Sequence, residues 1–211
     1  MIFNLPNKAF VNKFIAKSKF YEKANLNSKQ QTEFANKILK ITWLYKLSEG
    51  TIGISKTEKI EEIQIFDLEL KERKIPKNTI KIIDFVIPYP ILYRFIYKND
   101  WVYAIALKDE KKLQEYYYSD WNKSINFEFY AINLEKVYQN IIKAFMPDNL
   151  RKLENFNQII TIDSKIQELN KLINILEKKI ISEKQFNKKV ELNKDLLKLK
   201  KEIENYKKDI G

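Results

Sequence analysis

Glu69-Leu70-Lys71 sets a carboxylate and an amine two residues apart, at the end of a stretch whose apolar residues alternate as in a strand. Residues two apart on a strand share a face. In Mg²⁺-dependent nucleases such a face holds the metal with carboxylates and steadies the attacking water with lysine. Asp67 lies on that face and Asp84 follows downstream. Glu69, Lys71 and Asp84 are therefore the candidate catalytic residues. The competing reading is a solvated strand edge. Glu-x-Lys arises by chance in a chain that is 32% charged, and only Asp67 or the Glu61-Glu62 pair could supply the earlier acid that such sites use.

Two other groups could bind without catalysing. Tyr116-Tyr117-Tyr118, with Trp121 and Lys123, could stack unpaired bases, joined by Tyr93, Tyr97, Trp101 and Tyr103. Aromatics at strand spacing also serve as core and cross-strand pairs. Lys178, Lys179, Lys184, Gln185, Lys188 and Lys189, with Lys194 beyond, form a basic cluster suited to phosphates. Glu177, Glu183 and Glu191 dilute it, as on an ordinary exposed helix face.

Composition removes most other chemistry. The 211 residues include no histidine and no cysteine. Disulfides, thiolate or imidazole metal sites, Ser-His-Asp triads and cysteine nucleophiles are excluded within the chain. Gly50, Gly53 and Gly211 are the only glycines, too few for a phosphate-cradling loop. No cofactor and no resident metal is expected. The net charge is +11, but lysine supplies 36 of the 39 cations and arginine, the usual reader of guanine edges, only three. The charge is spread, with 24 cations against 18 anions in residues 1–150 and 15 against 10 thereafter. DNA or RNA contact and plain solubility both fit this balance. The start of the chain does not read as a signal peptide, since Lys8, Lys13 and Lys17 interrupt it. No segment reads as a membrane span, because Asp84, Pro88, Pro90 and Arg94 punctuate the most apolar stretch. The expected setting is cytoplasmic, with no membrane contact.

The elements that would position these residues form an α+β body over residues 1–150. A short helix is expected from Asn7 to Phe14, then an irregular connector to Asn27. Ser28 and Gln31 read as a capping box opening a helix to Leu47, with Phe34, Ile38, Ile41 and Tyr45 inward and Gly50 as a left-handed cap. Glu62–Leu70 reads as a strand whose phase slip implies a bulge or burial on both faces. Ile75-Pro76 opens a helix burying Ile80 and Ile83. Ile87-Pro88-Tyr89-Pro90 is extended. Ile91–Tyr97 and Trp101–Leu107 form a hairpin around Lys98-Asn99-Asp100, and Leu113–Ser119 adds a strand. Phe127, Phe129 and Ala131 extend the sheet or lead into a helix from Leu134 to Met146. Met146-Pro147-Asp148-Asn149 marks a boundary. The fold class is α+β, a mainly antiparallel sheet with helices on one face.

A C-terminal helical hairpin or coiled coil follows over residues 158–211. Ile162, Ile166, Leu169, Ile173, Leu176 and Ile180 step by four and three, as do Leu192, Leu196, Leu199, Ile203, Tyr206 and Ile210. Each run puts one apolar stripe on a helix, and such a stripe needs a cover. The runs are out of frame, and Ser182 with Gln185 reads as a capping box between them. A break near Ile181-Ser182 and an antiparallel hairpin are expected; one long helix with a stutter is the alternative. The stripes, Ile162 to Ile180 and Leu192 to Ile203, are the candidate partner-binding residues. Leu172, Ile175 and Leu197 form an outer stripe.

Four blocks give the chain a family likeness: Ile2-Phe3-Asn4-Leu5-Pro6, Phe20-Tyr21-Glu22, Asp84 with Ile87-Pro88-Tyr89-Pro90, and Glu183-Lys184-Gln185-Phe186-Asn187-Lys188-Lys189-Val190-Glu191-Leu192-Asn193. In their order the chain resembles the bacterial family known as domain of unknown function 4391, over nearly its whole length. That family has no established activity, so no catalytic residue carries over. The resemblance implies a setting beside helicase-like and adenine-methyltransferase genes of restriction or phage-defence type. The expected function is thus a non-catalytic accessory protein of a DNA-processing system. Its C-terminal helices would bind a helicase, a methyltransferase or a second copy. The alternatives are a direct nucleic-acid-binding module and, behind it, a Mg²⁺-dependent nuclease.

Overall fold

A computed structural model describes residues 3–108 and 115–208. The expectations for Ile2, for the start of a strand at Leu113 and for the end of the stripe at Ile210 lie outside the described residues. The chain separates into two compact units, Met1–Phe145 and Met146–Gly211.

The first unit is built on a six-stranded sheet in sequence order. Its strands are β1 (Phe10–Phe14), β2 (Ile38–Leu47), β3 (Ile63–Leu70), β4 (Ile91–Tyr97), β5 (Asp100–Leu107) and β6 (Glu115–Tyr118). All neighbours are antiparallel except β3 and β4, which run parallel. A parallel pair needs a crossover, and helix α4 (Lys77–Val86) supplies it. Helices α1 (Ser18–Lys23), α2 (Ser28–Lys37) and α4 share one apolar core. Phe20, Phe34, Ile80 and Ile83 pack there with Ile41, Phe66, Leu68, Tyr93, Phe95 and Val102. The class is therefore α+β with a mainly antiparallel sheet. On the other sheet face Phe3 lies against Tyr45, Tyr103 and Phe127. With both faces covered, seven of the eight β3 residues are buried. The phase slip in Glu62–Leu70 thus reflects burial on both sides.

The largest departure from expectation is the helix over residues 28–47. It stops at Lys37, and Ile38–Leu47 is strand β2. This segment is rich in β-branched and aromatic residues, which suit a pleated surface. Two register shifts, Ile38/Lys40 and Trp43/Tyr45, break its period of two. The first bulge puts Ile38 and Ile41, three apart, on the helix-side face, and Tyr45 is buried on the opposite face against Phe3, so buried residues fall at helix-like spacing in a strand. Asn27 and Gln30, one residue earlier than expected, form the capping box of α2. Asn7–Ala9 is a single 3-10 turn, and Phe10 onward pairs with β2. The connector from Ile15 contains α1, anchored by buried Phe20.

After β2, the short helix α3 (Glu49–Ile52) ends at Gly53 rather than Gly50, with Gly53 at φ 70°. The Lys98-Asn99 turn joins β4 and β5, with Lys98 also at positive φ. No strand or helix forms at Phe127, Phe129 or Ala131. Helix α5 (Leu134–Lys143) is capped by Asn133 and ends short of Met146.

Gly50 and Gly53 separate space from backbone conformation. An added Cβ would meet nothing within 4 Å at either position. Gly53→Ala should nonetheless cost about 1 kcal/mol, because its left-handed backbone disfavours a side chain. Gly50→Ala in the helix should stabilise by about 0.5 kcal/mol. Urea unfolding midpoints of the two variants should move in opposite directions.

Candidate functional site

The second unit opens with helix α6 (Asp148–Arg151) and continues into α7 (Phe156–Ser182) and α8 (Phe186–Lys208). Asn155 caps α7 by accepting the Gln158 amide hydrogen. The two long helices form a hairpin. Leu169, Ile173 and Ile203 are buried in its seam, packed with Ile166, Leu196, Leu199 and Tyr206. Ile162, Leu176, Ile180 and Leu192 are half-buried along the same stripes. Glu177 pairs with Lys200 across the hairpin at 3.0 Å; an exposed pair of this kind adds only tenths of a kcal/mol, about 0.2–1.

The break falls at residues 183–185, close to the expected place but by another device. Ser182 donates back to the Lys179 carbonyl and caps nothing forward. Glu183 is extended, and its carboxylate accepts the amide hydrogens of Lys184 and Gln185, each at 2.8 Å. Those bonds, the Gln185 one foremost, hold the Glu183 carboxyl below its ordinary range. A single continuous helix is thereby overturned.

The seam residues expected to meet a partner are largely spent on each other. What remains outward is a second set. Leu172, Ile175 and Leu197 are 43%, 50% and 66% exposed, with Val190 beside them in this class. At the tip Ile181 and Phe186 are more exposed still.

In the first unit the three candidate catalytic residues do not converge. Glu69 pairs with Lys40 across β2 at 3.4 Å. Asp67, on the same face, is held by both nitrogens of a fork from Arg94. Lys71 follows β3, its backbone amide donating to the Lys37 carbonyl. Asp84 sits on α4 over the other sheet face, among the hydroxyls of Tyr93 and Tyr116. Among the described residues no group of three or more acidic side chains could share a metal ion. The tyrosine platform also divides. Tyr116 and Tyr118 stack on the helix side of the sheet, whereas Tyr117 points to the other face and is buried. Trp121 lies under the Arg73 guanidinium, 4.4 Å away, and Tyr93 and Tyr103 are buried.

Two polar clusters in this unit escape sequence reasoning. The first is the Asp67–Arg94 pair. A lone arginine inside the apolar run Ile91–Tyr97 is its signal, since a buried charge requires a partner. Burial pushes the Asp67 carboxyl up, and the arginine only partly offsets this. The second joins Asp84, Tyr93, Tyr116 and Lys108. Burial raises the Asp84 carboxyl despite both hydroxyl donors, and it lowers the Lys108 ammonium. Lys108 donates to the carbonyls of Pro88 and Tyr89 at 2.8 and 2.7 Å, pinning the proline-rich entry to β4. Tyr138 of α5 donates to the Ala106 carbonyl and accepts the Lys108 amide hydrogen.

With this geometry in place, the chain's family can be stated: residues 3–203 match the model of the family described as Domain of unknown function (DUF4391), and the chain belongs to it. No curated protein matches it, and no solved structure does.

The raised carboxyls set a pH dependence. A folded-state acid raised above the unfolded value, about 3.9 for aspartate, binds protons that the unfolded chain releases. Stability is therefore lost as pH rises through the folded value. As pH rises above the ordinary aspartate value, about 3.9, the urea midpoint of the native chain should fall, through Asp84 and Asp67. Asp84→Asn keeps a donor and an acceptor for the two tyrosines, and it should flatten that fall. An unchanged slope would remove Asp84 as its source.

Proposed function

We propose that this protein is a non-catalytic accessory protein of a bacterial DNA-processing or restriction-type system, working in the cytoplasm and holding a protein partner with its C-terminal hairpin. The observation that carries the reading is the outward apolar set Leu172, Ile175 and Leu197 on two helices whose seam is already closed. Exposed leucine and isoleucine on a regular helix face, among charged neighbours, are what another helix packs against. The second copy fits the simplest geometry, because a two-fold axis lets Leu172 and Ile175 of one α7 cover their counterparts in a four-helix arrangement. A helicase or methyltransferase helix is the heterologous form of the same contact. The DNA-processing setting rests on the family likeness and on the chain's positive charge. The separation of Glu69, Lys71 and Asp84 favours an accessory role over a Mg²⁺-dependent nuclease. Among the described residues no helix is long and apolar enough to cross a membrane.

The test is light-scattering mass of the full chain beside Leu172→Gln/Ile175→Gln/Leu197→Gln. A dimer that becomes a monomer in the variant assigns the face to self-pairing. Should the native chain be a monomer, co-expression with the products of adjacent genes should give a complex that the triple variant loses. Equal assembly by both proteins would defeat the proposal.

A further inference from the structure

The tip of the α7–α8 hairpin concentrates charge and exposed aromatic surface in one place. From Lys178 to Lys194 the chain has six lysines, Lys178, Lys179, Lys184, Lys188, Lys189 and Lys194, against two glutamates, Glu183 and Glu191. All six lysines are exposed. Among the described residues no ion pair engages any of them. Glu183 accepts the amide hydrogens of Lys184 and Gln185 and also feels the charges of Lys188 and Lys189. Six lysines against two glutamates leave the tip with a clear excess of positive charge.

Its apolar residues are unusual for so charged a place. Ile181 closes the end of α7 and Phe186 opens α8, and they are 81% and 77% exposed. Gln185 and Asn187 flank Phe186, and both are exposed. Buried inside a protein contact, that ring would bring two amides and several ammonium groups with it, each needing a hydrogen-bond partner. Lipid would supply none below the headgroups, and amides at the level of the ring oppose its insertion. Nucleic acid supplies partners for every group. Phosphates suit the lysines, base edges and sugar hydroxyls suit Gln185 and Asn187, and a base face suits the ring. Only unpaired bases expose such faces.

We infer that the hairpin tip binds single-stranded nucleic acid, with Lys178, Lys179, Lys184, Lys188 and Lys189 on phosphates and Phe186 stacked on an unpaired base. Sequence preference is weak, because lysine carries no base code and every base offers a π-face. The site is independent of the outward apolar set on the helix shafts, so a partner held there and a strand held at the tip are compatible.

Fluorescence anisotropy of the full chain with labelled oligothymidine, oligouridine and a duplex of equal length tests this. The salt range should run from about 50 to about 300 mM, where phosphate contacts are read from the slope. Single strands should bind more tightly than duplex. Replacing Lys184, Lys188 and Lys189 together by Gln should reduce the magnitude of the slope of log K against log salt by about 2, at about 0.7 per contact. Phe186→Ala should weaken single-strand binding about tenfold and duplex binding little. These positions are exposed, and circular dichroism should show both variants as helical as the native chain. The Leu172→Gln/Ile175→Gln/Leu197→Gln variant should bind oligothymidine with native affinity, which separates this site from the partner-binding proposal. Preference between oligothymidine and oligouridine distinguishes DNA from RNA. No binding at low salt, binding unchanged by the lysine replacements, or an equal effect of Phe186→Ala on both forms overturns the inference. So does binding confined to anionic vesicles or to an acidic peptide.

Discussion

The parallel contact between β3 and β4 is the constraint around which the first unit is organised. Parallel strands cannot be joined by a tight turn, so the chain must leave the sheet, form α4 and return. That excursion puts an amphipathic helix on one face and obliges the other face to be covered separately, which Phe3 and its aromatic neighbours begin to do. Two central strands buried on both sides leave little room for polar groups. The few that enter are clamped: Asp67 by Arg94, and Asp84 by two tyrosines. Breaking one member of a buried pair costs about 3–5 kcal/mol. These clusters therefore specify how α4 and β4 lie against their neighbours, while the apolar core supplies the driving force.

The second unit follows a different rule. It has no sheet among its described residues and only a thin seam, and each helix would be marginal alone. Closing the seam through Leu169, Ile173 and Ile203 makes the pair self-supporting. It also frees the outward leucines and isoleucines from any structural duty inside the hairpin. Function is proposed there because those residues are not needed where they are for the hairpin itself. In the first unit the acids and tyrosines that invite a chemical reading, Asp67, Asp84, Tyr93 and Tyr116, are instead engaged by their neighbours.

Legibility follows from periodicity. The tail is readable because heptad spacing sustained over several turns fits little besides an amphipathic helix, and a frame change between two such runs announces a turn. The β4–β5 hairpin and helix α4 are readable from β-branched runs and from Pro76, whereas the parallel pairing that α4 bridges is not. Strand β2 misleads because its bulges and its burial on both faces imitate helical spacing, and only its β-branched and aromatic content points to a strand. The first residues mislead in a similar way: Asn7 opens only one turn, and pairing with β2 claims Phe10–Phe14. The candidate nuclease residues cannot be judged from the sequence. Which sheet face Asp84 reaches depends on where α4 docks, and that is a tertiary fact. Lys108 is invisible for the same reason, since its partners are backbone carbonyls some twenty residues away.

The turn at Glu183 has a mechanical corollary. Helix α7 is 27 residues long, and at about 1.5 Å per residue its far end stands roughly 40 Å from its origin. Because the reversal is a tight, hydrogen-bonded corner with no slack loop, the two rods cannot slide past one another without unlocking their interdigitated side chains. The length of α7 therefore fixes how far the corner stands from the start of that helix.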